Sequence, residues 1–201
     1  MVKLSVLGSG SRGNALVLSC EEGAVIVDMG FSRKELRCRM EKLGIDPSGI
    51  RAALLTHEHD DHSKGCRVFC NELSIPLCAA GPTAAYLKRK GKLPDRVLEF
   101  EPGQDFHIAG FEISPFAVQH DAVCPVGFVI RRGGCTVGIA TDLGDVNALA
   151  RQRLCDCSAL ILESNYDAKM LRDVQEGIRK DFFDFLPTGT GAASGEGLQG
   201  A

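Results

Sequence analysis

The stretch Ala52-Ala53-Leu54-Leu55-Thr56-His57-Glu58-His59-Asp60-Asp61-His62 joins an apolar run to a six-residue string that holds three of the chain's five histidines. The apolar run predicts a buried strand. A strand that delivers three imidazoles and several carboxylates to its own C-terminal end is a metal-binding pattern, because imidazole nitrogen and carboxylate oxygen are the donors that hold zinc and neighbouring divalent cations. The alternative is a solvated polar loop whose histidines bond to backbone. Four ligating side chains, His57, His59, Asp61 and His62, favour the metal. In extended backbone successive side chains point opposite ways, so Glu58 and Asp60 are expected to face away from the cation shared by His57 and His59.

Two later residues sit where donors could converge with this string. His120 follows the alternating run 111–118, and Asp142 follows the apolar run 136–140, so both lie at the ends of expected strands. Taken alone, His120 reads as a structural histidine and Asp142 as a turn or helix cap. His107 falls in an expected hairpin strand and reads as a surface residue.

The hexapeptide does not stand by itself. The opening Val2-Lys3-Leu4-Ser5-Val6-Leu7-Gly8-Ser9-Gly10-Ser11-Arg12-Gly13-Asn14, the strand end Ile26-Val27-Asp28-Met29-Gly30 and the strand end Glu163-Ser164-Asn165 accompany it. Together these motifs resemble the metallo-β-lactamase-fold hydrolases, and within them the YycJ/WalJ-like group, over residues 1–171. The resemblance implies an α/β protein: a four-layer αββα metallo-β-lactamase-like sandwich with metals at one edge of its two sheets and an incomplete C-terminal part. It makes His57, His59 and His120 ligands of one metal, Asp61 and His62 ligands of a second, and Asp142 the carboxylate between them, with Asp28 supporting the metal loop. It implies two divalent metal ions, zinc or manganese, and a metal-dependent phosphodiesterase or nuclease acting on DNA, in which Asp61 is the catalytic residue that orients the attacking water.

Two other functions stay open. Thioester or other acyl hydrolysis uses the same metal frame. A metal-binding chain of weak or no activity is the third reading, because the family pattern ends with a further histidine downstream of the bridging Asp, whereas no histidine follows His120. Tyr166 also stands where this group carries a histidine.

Composition bounds the rest. At 201 residues, 44% hydrophobic and 24% charged, the chain can bury one sizeable core, assigned to a domain at 1–171. Residues 172–201 do not match, and the last fifteen include five glycines, so a disordered tail is expected there. The net charge of -3 argues against a basic surface over the whole domain. Lys88-Arg89-Lys90, with Lys92, reads as a solvated helix end. With no secretory or membrane-spanning segment expected, the nine cysteines read as reduced thiols of a cytoplasmic protein that does not contact a membrane. The Cys66/Cys70 and Cys155-Asp156-Cys157 spacings do not form a zinc ribbon. The sequence sets no oligomeric state.

The elements follow from periodicity and punctuation. Strands are expected over 2–7, 15–19, 24–28, 50–55, 76–79, 97–100, 105–108, 111–118, 126–131, 136–140 and 159–162. Helices are expected from Ser32, whose Glu35 partner completes a capping box, to Gly44, then over 64–73, 83–90 and 145–153. Gly8-Ser9-Gly10-Ser11-Arg12-Gly13 matches a dinucleotide fingerprint formally, but that pattern must open a helix and a short strand follows instead. A tight loop in which Ser11 or Asn14 meets substrate or supports the site is the better reading.

Overall fold

A computed structural model describes residues 1–143 and 147–162, and these form two mixed sheets with helices on their outer faces. The first sheet takes β1 (Lys3–Gly8), β2 (Ala15–Cys20), β3 (Gly23–Val27), β4 (Ile50–Leu54), β5 (Leu77–Ala80) and β6 (Val97–Phe100) in chain order. Its first two pairings are antiparallel and the rest parallel. Parallel neighbours need crossovers, which are supplied by α1 (Arg33–Lys42), by α2 (Asp60–Ser63) with α3 (Cys66–Leu73), and by α4 (Gly81–Arg89). The second sheet runs β7 (Phe106–Ile108), β8 (Phe111–Ala117), β9 (Val126–Arg132), β10 (Cys135–Ala140) and β11 (Ala159–Leu162), with α5 (Ala148–Leu154) carrying the chain between the parallel pair β10 and β11.

The period of two along each strand decides which layer a side chain enters. In β3, Ala24 and Ile26 face the helices, where they join Leu36 and Met40 of α1 and Phe69 of α3. Val25 and Val27 point the other way, into the space between the sheets, with Leu54, Phe111, Phe128 and Ile139. Both faces are apolar because both are covered. On the far side, Phe116 and Val129 of the second sheet meet Ala150 and Leu154 of α5. The layers are therefore helix, sheet, sheet, helix, as the resemblance implies. Each fully buried Val, Leu or Ile contributes roughly 1.5–3 kcal/mol, so the two-faced burial of the central strands supplies much of the stability.

Every expected strand forms, within a residue or two of its expected bounds. Half of the expected capping box forms: Ser32 Oγ accepts from the Glu35 amide at 3.3 Å, while the Glu35 carboxylate turns to Arg39 at 2.8 Å, and Gly44 ends the turn at φ 66°. The backbone departs from the expectation inside the metal string: Asp60–Ser63 is a short helix that follows His59, so extended alternation ends at His59. A further turn of 3-10 helix, Pro47–Gly49, precedes β4. The last helix begins at Ala148, where the Asn147 side chain accepts from the Ala150 amide. The expected tail at 172–201, with the motif residues 163–166, lies outside the described residues. Among the described residues no helix is long and apolar enough to cross a membrane.

Three segments distant in sequence are laced together by backbone alone. The Asn14 amide donates to the Asp61 carbonyl at 2.7 Å, the Met29 amide to the His62 carbonyl at 2.6 Å, and the Gly30 amide to the Asn14 carbonyl at 2.9 Å. Gly30 is required here because a Cβ at that position would lie 1.6 Å from the Asp61 carbonyl oxygen. Gly30→Ala must push the metal string off the glycine loop, and we expect it to cost about 3 kcal/mol. Denaturant unfolding checks this, and an unchanged midpoint would contradict the packing described.

Candidate metal centre

The donors meet at the C-terminal rim of the sheets, because β3, β4, β8 and β10 all run toward it and release Asp28, the 57–62 string, His120 and Asp142 there. His57 Nε2 lies 3.1 Å from His59 Nδ1, and His120 Nε2 also lies 3.1 Å from His59 Nδ1. His62 Nε2 is 2.8 Å from Asp142 Oδ2, which is itself 3.6 Å from His57 Nε2. The described residues thus give two compact donor groups, His57 with His59 and His120, and His57 with His62 and Asp142. Asp61 stands at the margin, its Oδ2 3.6 Å from His62 Nε2, outside both compact groups. All six residues named from the sequence lie at this one rim, joined by these contacts. His57 and His62 form its buried floor, while Asp61 and Asp142 remain partly open to solvent.

One carboxylate sets the direction of the buried rings. Asp28, 2% exposed, accepts from the Thr56 amide at 2.9 Å and from the Thr56 hydroxyl at 2.8 Å. With its proton given to Asp28, Thr56 Oγ1 is left as the acceptor for the Nδ1–H of His57 at 3.0 Å. Asp28 Oδ2 also faces His62 Nδ1 at 2.8 Å. Both rings therefore carry hydrogen on Nδ1 and turn Nε2 toward the cavity, the carboxylate–histidine arrangement that prepares an imidazole to bind a cation. Asp28 and Asp142 both adopt left-handed backbone, at φ 58° and 51°. That conformation is uncommon for a residue with a side chain, though tolerated by Asp, and it turns each carboxylate off its strand end into the rim.

The donor set fits a divalent cation better than it fits protons. His59 Nδ1 is close to two other ring nitrogens, yet a single N–H can lie along only one of those contacts. Three nitrogens bound tetrahedrally to zinc at about 2.0–2.1 Å would sit roughly 3.3 Å apart, close to the observed spacing. The second group has a similar conflict. Asn14 Oδ1 is taken by the Gly10 amide at 2.8 Å, so its Nδ2 is what faces His62 Nε2 at 2.9 Å. A proton on Nε2 would oppose that amide, whereas a bare Nε2 would confront the Asp142 carboxylate. A cation on Nε2 would remove the conflict between the ring and the Asp142 carboxylate and would take the lone pair that the Asn14 amide otherwise faces.

Charge follows this layout. Burial, and then the neighbouring rings of His62, His120 and His59, push His57 down to about 2, with Asp142 acting the other way. Burial would also lower His62, but the Asp28 and Asp142 carboxylates outweigh it and raise the ring to about 10. The hydrogen bond with His62 holds the Asp142 carboxyl below its ordinary range.

Glu58, expected to face away from the metal, belongs to neither donor group and is instead a buried clamp. It is 6% exposed, and its Oε1 accepts from the Val123 amide at 2.8 Å, fastening the loop that carries His120. That loop is closed by Val118 donating to the Pro125 carbonyl and by Val126 donating to the Thr56 carbonyl. No local signal marks such a residue, since its partner lies 65 positions away. Asp60 turns out to solvent and pairs with Lys92. His107 is exposed on β7, as expected.

Residues 24–180 match the family described as Beta-lactamase superfamily domain. The exodeoxyribonuclease YycJ of Bacillus anthracis is 31% identical over 170 residues, which cover 84% of this chain and 64% of that protein. The exodeoxyribonuclease WalJ of Streptococcus pneumoniae is 28% identical over 176 residues, covering 85% of this chain and 65% of that one. The chain thus spans just under two thirds of the length of these curated relatives. Among solved structures, a Cronobacter sakazakii metallo-β-lactamase with a HARLDQ motif aligns with a TM-score of 0.66 at 17% identity, over 80% of this chain and 74% of that one. A B3 metallo-β-lactamase with an active-site glutamic acid aligns equally well at 15% identity, over 87% of this chain and 84% of that one. At such identities these structures show a common fold.

Two outcomes follow from Asp28 and the rings it orients. Asp28→Asn removes the carboxylate from His62 and Thr56, and zinc affinity should fall about 10- to 100-fold, as measured by competition with a chelating dye; unchanged affinity would contradict the orienting role. In the metal-free protein, His62 adds stability that is full below its unfolded value of 6.5 and is lost as pH rises toward about 10. His57, held neutral in the fold, lets the unfolded chain gain protons preferentially below 6.5, so its effect is lost stability on acidification. The thermal midpoint of the chelator-treated protein should therefore peak at about pH 6.5, and calorimetry showing a continuous rise to about pH 10 would reject the His62 assignment.

Proposed function

The chain belongs to the beta-lactamase superfamily, and from that premise we propose that it is a metal-dependent hydrolase that cleaves phosphodiester bonds of DNA with water as the nucleophile. The observation that carries this reading is the pair of adjoining donor groups at one rim, with Asp142 Oδ2 reaching both His62 Nε2 and His57 Nε2. His57, His59 and His120 suit zinc, while Asp61, His62 and Asp142, richer in carboxylate, suit zinc or manganese. When bound, such a pair of cations supplies Lewis-acid contact to phosphoryl oxygens and lowers the pKa of water toward neutrality.

The remaining work falls to side chains. Asp28 and Thr56 keep the Nδ1 hydrogens of His57 and His62 in place, so that neither ring rotates out of the rim. Asp61, partly exposed beside His62, orients the attacking water and accepts its proton. The buried thiols of α3 and β5 do not compete as nucleophiles: burial raises Cys66, which also feels the Asp28 carboxylate, well above its ordinary value and raises Cys70 and Cys78 to about 12, which leaves them protonated at neutral pH. DNA as the substrate is supported by the two relatives, both named exodeoxyribonucleases.

A second reading, a metal-binding chain of weak activity, is favoured by one observation. Among the described residues, the second group has His62 as its only imidazole not shared with the first. The two readings differ in stoichiometry. The enzyme reading expects two metals per chain by elemental analysis at saturation, the second bound more weakly; one per chain supports the weak-activity reading. We expect metal-dependent hydrolysis of bis(p-nitrophenyl) phosphate and of a DNA oligonucleotide, both lost by at least about 100-fold in His59→Ala. Equal rates in that variant would reject the metal mechanism, and turnover confined to a glutathione thioester would replace phosphodiester with acyl chemistry.

A further inference from the structure

Charge is distributed unevenly along this chain. Between Lys64 and Lys92 lie six cationic side chains, Lys64, Arg67, Lys88, Arg89, Lys90 and Lys92, against one acidic residue, Glu72, in a chain whose net charge is -3. Glu72 is occupied elsewhere, receiving Arg33 at 3.2 Å and Arg37 at 2.6 Å from α1. The six cations come from the link between α2 and α3, from α3, from α4 and from the turn after it, and polar contacts join these elements. Arg67 of α3 donates to the Gly91 carbonyl at 2.8 Å, and Lys92 pairs with Asp60, next to Asp61 in the metal string. All but Lys92 are exposed, and Lys92 is half-buried against Asp60.

Helix-end electrostatics account for only part of this cluster. Lys88, Arg89 and Lys90 close α4, where cations complement the helix dipole. Lys64 and Arg67 do the opposite, since they flank and occupy the first turn of α3, which holds no acidic residue and where the helix dipole disfavours a cation. Lys64 also follows Asp60 by four residues on α2 and its cap, so the two share a face. Asp60 is taken up by Lys92, and Asp95 is held by its amide against the Asn71 side chain, in the last turn of α3. The cations therefore form a track that starts at the rim of the metal centre and runs over α3 to the end of α4.

We propose that this track, Lys64, Arg67 and Lys88 to Lys92, binds the phosphate backbone of the DNA strand whose scissile bond lies at the metal centre. The inference rests on the phosphodiesterase reading and deepens it by stating where the strand runs. A polyanion of regular spacing matches cations carried on joined, rigid elements, and each neutralised phosphate releases condensed counterions. A small phosphodiester reaches the rim without touching the track.

The test uses the metal-loaded protein, a fluorescein-labelled single-stranded 20-mer with cleavage-resistant phosphorothioate links, and fluorescence anisotropy over a series of KCl concentrations. The variant combines Lys64→Gln, Arg67→Gln and Lys90→Gln, and leaves Lys92 in its pair with Asp60. We expect about tenfold weaker binding and a log Kd against log salt slope shallower by about 2, with bis(p-nitrophenyl) phosphate hydrolysis unchanged. If the wild type binds the strand and the variant keeps its affinity and slope, the track is overturned while the phosphodiesterase reading stands. Hydrolysis of the small diester without salt-dependent DNA binding by the wild type also overturns it. Absence of metal-dependent diester hydrolysis in the wild type rejects the underlying reading instead, and is scored in its own assay. Should the triple variant fail to fold by circular dichroism, Lys88→Gln with Lys90→Gln, on the exposed end of α4, replaces it, with an expected slope change of about 1.4.

Discussion

The rim is organised around one buried carboxylate. Asp28 accepts hydrogen bonds from the Thr56 amide, the Thr56 hydroxyl and His62 Nδ1, and through Thr56 it fixes His57 as well. A carboxylate taken this far out of water is tolerated only when its lone pairs are filled, and here the groups that fill them are those that must be aimed. Burial thus does two things at once, locking the rings and choosing which nitrogen of each faces the cavity. The left-handed backbone at Asp28 and at Asp142 is the conformational cost of presenting carboxylates at strand ends.

Much of the fold was legible because both periods were strong. Runs such as Ala24-Val25-Ile26-Val27 and Val126 to Ile130 are apolar on both faces, which suits strands covered on each side. Ser32 with Glu35 marked its helix start by a local hydrogen bond, the kind of signal that survives without tertiary context. The short helix at Asp60–Ser63 was not legible, because four residues carry too little periodicity to compete with the extended reading. It forms where His59 ends the strand-like backbone and the Asn14 and Met29 amides capture the carbonyls of Asp61 and His62.

The site divides in the same way. His57, His59 and His62 could be read from their density, since six consecutive residues held most of the chain's imidazole. His120 and Asp142 could not be distinguished from structural residues without the resemblance, because convergence across two sheets is a tertiary fact. Glu58 illustrates the limit: its type suggests solvent, whereas its contact with the Val123 amide makes it the tether of a distant ligand loop. Asn14 was legible as a neighbour of the site, yet the direction of its amide is set by the Gly10 amide and so had to be seen.

The rim also straddles the two sheets. Asp28 and the 57–62 string issue from one, His120 and Asp142 from the other. A chelated ion there would act as a rivet across the inter-sheet seam, available only after distant strands have docked, since neither half alone presents a complete donor group. Ion capture would then come late in folding, behind the slow, long-range pairing steps. Once made, it would slow separation of the halves, because the native state alone gains the binding free energy. Chelators would accordingly act on this protein first as agents that loosen its architecture.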